Sequence, residues 1–232
     1  MACRTSPALM LCLALFCAPL ATRAQTQTAV AFNTGPDNLM AVLRESSGSN
    51  KQDEDLQPYG KLRAQLADGR EMDIEASWFH YLGDMHIRLV FDGPQSLQSV
   101  SPDDLERLHL NPQQALELAA ANLRRVYGVP AAHPWSGALM QVQGEAADLN
   151  SSYFLDRAFW QALQQRHPQG VVAAVPRRGG LVYAAVDDEE AVAQLRFSAA
   201  ALYTSGEQAR VSSALYLFKD NRWSVFQPPL IP

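Results

Sequence analysis

The sequence predicts an α+β protein of mainly antiparallel sheets with packed helices. Three observations predict it: a hairpin pattern around Asp68-Gly69, two sharply capped helices after residue 100, and alternating strands and helices toward the C-terminus. The 232 residues are 47% hydrophobic and 19% charged, which suffices for a buried core and is unlike a disordered chain.

Met1-Ala2-Cys3-Arg4 is followed by an apolar run from Ala8 to Ala18 and then by Ala21-Thr22-Arg23-Ala24. One early positive charge, an apolar run well short of the ~20 residues of a bilayer span, and a small terminal residue predict a signal peptide over 1–24, cleaved after Ala24. Phe16 and Leu11 precede Cys17 and Cys12, which fits a lipobox badly. A periplasmic or secreted location follows, with no membrane span after cleavage. All three cysteines, Cys3, Cys12 and Cys17, fall in this leader. The expected mature chain therefore has no disulfide, zinc–thiolate site or thiol nucleophile. A net charge of −5 excludes a typical nucleic-acid binder.

Asp37 is expected to cap a first helix with Leu39, Met40 and Leu43 on one face. Residues 45–60 lack an apolar period and read as an exposed loop. Leu62, Ala64 and Leu66 alternate with Arg63 and Gln65, and Met72, Ile74 and Ala76 with Asp73 and Glu75. With Asp68-Gly69 as the positive-φ turn, this is a hairpin. Met85 to Phe91 is expected to join its sheet.

Ser101-Pro102-Asp103-Asp104 and Asn111-Pro112-Gln113-Gln114 are helix starts with a capping side chain and proline in the first turn. Leu116, Ala119, Leu123 and Val126 form the expected apolar face of the second helix. Gly128 ends it, and Gly128 to Gly137 divides an N-terminal half, 25–130, from a C-terminal half, 136–232. The latter reads strand 138–143, helix 153–166, strand 171–175, strand 181–186, helix 188–203, strand 213–219 and strand 222–227. Its first six elements have the ferredoxin-like order βαββαβ, and Asp187 with Glu190 is the expected capping pair of the last helix.

Tyr81-Leu82-Gly83-Asp84-Met85-His86-Ile87, Asp104-Leu105-Glu106-Arg107-Leu108, Ala121-Asn122-Leu123, Leu155-Asp156 with Phe159-Trp160, and Val172 to Arg178 occur in this order. Over roughly residues 77–227 the chain resembles the bacterial YtpQ-like family, a domain of unknown function. It departs from that pattern at Gly179, where an aspartate is common. The resemblance implies no activity, and no catalytic residue is carried over from it.

Candidate chemistry is sparse. His80, Asp84 and His86 stand at even spacing, which on an unbroken strand would put three metal-ligating types on one face; the plainer reading is a polar strand face or turn. Arg177-Arg178-Gly179-Gly180 reads as a hairpin tip, either a solvated turn or two guanidinium groups set to bind a carboxylate or phosphate. Asp148, Asp156, Asp187 and Asp188 could supply a carboxylate pair. Tyr153, Phe154, Phe159 and Trp160 are either an exposed aromatic strip or a helical core stripe. Asp84, Arg177 and Arg178 are the contact candidates. No cofactor or metal is expected. The leading expectation is a binding module for a ligand or protein partner, and the alternative is an envelope hydrolase using carboxylates or a divalent metal.

Overall fold

The computed structural model describes residues 32–65, 68–94 and 96–230; the expected signal peptide lies outside them. In chain order the elements are β1 (Leu39–Glu45), β2 (Gln57–Pro58), β3 (Lys61–Gln65), β4 (Glu71–Glu75), β5 (Trp78–His80), β6 (Met85–Asp92), β7 (Leu97–Ser99), α1 (Pro102–Arg107), α2 (Pro112–Tyr127), β8 (Ala131–Ser136) and β9 (Leu139–Gln143). A 3-10 segment (Ala147–Leu155) leads into α3 (Arg157–Arg166), β10 (Val171–Arg177), β11 (Gly180–Ala185), α4 (Glu189–Thr204), β12 (Leu215–Lys219) and β13 (Arg222–Gln227). The fold is α+β, and every strand pairing is antiparallel.

The first sheet runs β1-β6-β5-β2, with β7 beside the far end of β6. Its first strand corrects the helix expected after Asp37. Pro36–Asn38 make a single 3-10 turn, and β1 then pairs with β6 from Leu39↔Phe91 to Glu45↔Met85. Leu39 to Leu43 are all buried. A strand covered on both faces is a continuous apolar run, and periodicity cannot separate that from a buried helix.

The hairpin forms, pairing Leu62 with Ile74 and Ala64 with Met72, but β3 and β4 form a sheet of their own. The expectation that residues 85–91 join them is corrected. The chain breaks pairing at Ser77, whose N–H donates to the Val100 carbonyl and whose carbonyl accepts from Leu89 N–H. β5 then takes the edge of β6. The alternating side of β4 stays in solvent, with Met72 44% and Ile74 38% exposed.

Both predicted capping boxes form. Ser101 Oγ accepts from Asp104 N at 3.1 Å, and Asn111 Oδ1 from Gln114 N at 2.9 Å. The buried face of α2 is Ala115, Ala119, Asn122 and Leu123, not the expected stripe through Val126, which is exposed. Asn122 fixes the rotation: its amide donates to the carbonyls of Pro36 and Leu39 at 2.8 and 2.9 Å and so pins α2 against the start of β1.

The second sheet runs β13-β12-β10-β11-β9-β8. Its alternating side chains serve two cores. Val172, Ala174, Val182, Ala184 and Leu215 pack with Ala191, Val192, Leu195 and Ala199 of α4. Val171, Ala173, Val175, Tyr183, Tyr216 and Phe218 pack with Trp160 of α3 and with the core of the first sheet. The two helices thus lie on opposite faces, and β12, fourth of the predicted strands, sits beside the second, β10. A split βαβ unit would set it beside the first. The ferredoxin-like order in the sequence is therefore wired differently in space. The helix expected from 153 starts at Arg157, capped by Asp156, and α4 is capped by Asp188 rather than Asp187.

Tyr153, Phe154 and Trp160 are fully buried, so they are core rather than an exposed strip. Trp160 is the hub: its ring centroid lies 4.9 Å from that of Trp223, 5.1 Å from Phe159 and 5.9 Å from Tyr183, and its Nε1 donates to the Tyr153 carbonyl at 2.9 Å. Residues of both predicted halves share this core.

Candidate functional site

His80, Asp84 and His86, separated by even numbers of positions, do not form one site. Among the described residues no three His, Cys, Asp or Glu side chains gather to hold a metal. Gly83, at φ +62°, turns the chain between β5 and β6, so the even spacing does not run along one strand. A Cβ there would stand 2.5 Å from Tyr216 Oη. Asp84 instead turns into the C-terminal half, 4% exposed. It accepts hydrogen bonds from Ser212 Oγ, from Ser213 N and Oγ at 3.1 and 3.2 Å, and from Tyr216 Oη at 3.2 Å. Burial pushes its carboxyl above the usual carboxylate range, and these donors oppose the shift. Asp84 is a tie between the β5–β6 turn and β12.

The histidines belong elsewhere. His80 and His86 are cross-strand partners, His86 also opposes Arg44 of β1, and Trp78 opposes Arg88. Arg44 and Arg88 are thus diagonal neighbours on one sheet face. Tyr59 stacks on His80 at 4.3 Å and lies 4.8 Å from His86, while the Arg88 guanidinium sits 3.6 Å over the Trp78 ring. Arg88 Nε donates to His86 Nε2 at 2.8 Å. Arginine has only donors, so Nε2 must accept and the ring proton sits on Nδ1. That atom is buried without a well-formed hydrogen bond, although the nearby Glu45 backbone slightly favours the protonated ring.

Burial, followed by the Arg88 charge, pushes His86 down to about 3. Between pH 6.5 and about 3 the unfolded chain therefore binds a proton that the native chain refuses, and stability falls as pH falls. Urea unfolding of wild type and of His86→Gln at pH 7 and pH 5 isolates this contribution. The difference in unfolding free energy between the two is expected to shift by about 2 kcal/mol against the wild type at the lower pH. An unchanged difference would mean that His86 titrates normally.

The β10–β11 turn brings a third cation. Burial, then Arg178, then Arg88 lower the Arg44 guanidinium to about 10. Burial, opposed in part by Tyr59 and reinforced by Arg178, lowers Arg88 too. Arg178 is half-buried; its Nη2 donates to the Gln208 carbonyl at 2.9 Å, and its buried Nε has no partner. Arg177, its neighbour in the sequence-derived pair, is exposed and is no part of the cluster. The ion pairs among the described residues leave Arg44, Arg88 and Arg178 without a carboxylate, although every Asp and Glu of the chain lies at a described position. Two like charges ~8 Å apart repel by about 2 kcal/mol at an effective dielectric constant of ~20. A half-buried cluster of this kind is suited to an anion, which guanidinium forks bind bidentately.

Arg178 was legible as half of an Arg-Arg-Gly-Gly tip. Arg44 and Arg88 were missed, and their one signal was a lone cation inside each apolar strand, Leu39–Glu45 and Met85–Asp92. Comparisons with family models, with curated proteins and with solved structures found no match. Among the described residues no helix is long and apolar enough to cross a membrane.

Proposed function

We propose that this chain is a secreted or periplasmic binding module whose ligand carries a carboxylate or phosphate held by Arg44, Arg88 and Arg178. One observation carries the reading: three half-buried arginines within electrostatic reach of one another and without a carboxylate partner. The leader-like residues 1–24 support export, and the ordered motifs between Tyr81 and Arg178 support membership of the YtpQ-like family; both belong to the proposal.

Thermal unfolding with citrate or inorganic phosphate tests the anion site. A ligand at ~100 times its Kd stabilises the native state by about 2.7 kcal/mol, a readily measured rise in Tm. Arg88→Gln and Arg178→Gln are each expected to weaken anion binding about tenfold or more. If neither anion raises Tm in the wild type, the arginine cluster is not a binding site.

The hydrolase alternative draws on Asp84 and Asp156, whose carboxyls burial pushes upward. Asp84 is engaged by four donors. Asp156 caps α3 through Phe159 N–H at 3.1 Å and pairs with Arg124 at 3.1 Å. The fold accounts fully for Asp84; at Asp156 the cap and the ion pair both use Oδ1, and Oδ2 is buried without a partner.

A further inference from the structure

A groove of about 520 Å³ lies where the root of the β3–β4 hairpin, β5 and the starts of α1 and α2 meet. Pro58, Trp78, Phe79, Pro102, Leu105 and Leu110 give it an apolar lining, while Lys61, Glu75 and Glu106 bring charge to it. Its size falls within the ~300–1,000 Å³ of sites that hold small organic ligands.

One further observation points to an occupant: the groove and the arginine cluster share residues. Trp78 lines the groove and carries the Arg88 guanidinium on its ring, and Tyr59 lines the groove and stacks on His80. An apolar trough thus abuts a positive cluster that has no internal counter-ion.

Resting on the anion-site reading above, we propose that the ligand is an amphipathic anion, a free alkyl carboxylate of fatty-acid type. Its chain lies in the groove beside Trp78 and its carboxylate meets Arg88. The polarity of the occupant follows from the charges: the apolar lining takes the chain, and the arginines take the head.

Purified protein is titrated with dodecanoate below its micellar concentration, and in parallel with dodecanol, acetate, inorganic phosphate and vesicles of anionic phospholipid. Tryptophan fluorescence and calorimetry give the readouts. Dodecanoate is expected to bind at least about tenfold tighter than either dodecanol or acetate. Its fluorescence change is expected to vanish in Trp78→Phe. Arg88→Gln should weaken dodecanoate and phosphate alike by about tenfold or more, whereas Ala76→Phe, which fills the groove, should weaken dodecanoate alone. Because Ala76→Phe is scored by its retained phosphate binding, a loss through unfolding is told apart from a loss of the groove. If phosphate binds in an Arg88-dependent way and dodecanoate binds no better than acetate, the amphiphile inference falls and the anion site stands. If neither binds, both fall. Binding to vesicles without binding of free dodecanoate also overturns the inference, because the occupant would then be a bilayer lipid.

Discussion

Replacing Trp160 by alanine is expected to remove about 3–5 kcal/mol of stability, the cost of a large aromatic lost from a close-packed core. The position supports the upper part of that range. Trp160 is fully buried, touches rings from α3, β11, β12 and β13, and satisfies the Tyr153 carbonyl. The cavity would open between the second sheet and the 3-10 segment, where Phe154 and Trp223 are themselves stacked at 4.1 Å and can relax little. A domain's whole stability is about 5–15 kcal/mol, so this variant would lose about a fifth of it or more. Denaturant unfolding measures the loss, with Phe197→Ala as control. Phe197 is 78% exposed on α4, and its removal should stay within about 0.5 kcal/mol. Equal effects at the two positions would show that α3 is not packed as described.

The second large effect is expected at Asp84. Asp84→Ala removes the acceptor for Ser213 N–H and for the Tyr216 and Ser212 hydroxyls in a buried site. Stranding such donors should cost about 3 kcal/mol, or a Tm lower by roughly 10 °C for a chain of this size. Asp84→Asn keeps one acceptor and avoids burying a charge, so it should be the milder change. That order, wild type above Asn above Ala, distinguishes a hydrogen-bonded tie from mere space-filling. An Ala variant within about 0.5 kcal/mol of wild type would mean that the network contributes little.

Local chemistry was the legible part of this fold. Ser101 and Asn111 announce α1 and α2 because a cap is decided within four residues, and the alternation on either side of Asp68-Gly69 announces the hairpin for the same reason. The failures are nonlocal. β1 was hidden because burial on both faces erases its period, and the detached state of the hairpin depends on β5 claiming the edge of β6. The candidate site divides the same way. Arg178 stands in a recognisable turn, but Arg44 and Arg88 are brought together by the β1–β6 register, which pairs segments far apart in sequence. Asp84 was noticed through its neighbours His80 and His86, yet its partners, Ser212, Ser213 and Tyr216, come from the other end of the chain.

The free-standing β3–β4 ribbon has a consequence for how motion is distributed over the molecule. A two-stranded ribbon with no third strand is at best marginally stable on its own. Its backbone amides should therefore exchange through local opening, at a free energy far below that of the sheets on either side of Trp160. Lys61 and Glu75, which close the ribbon as cross-strand partners, also line the neighbouring groove. Whatever occupies that groove would hold both strands at once, so occupancy and ribbon closure would be thermodynamically linked, each raising the population of the other.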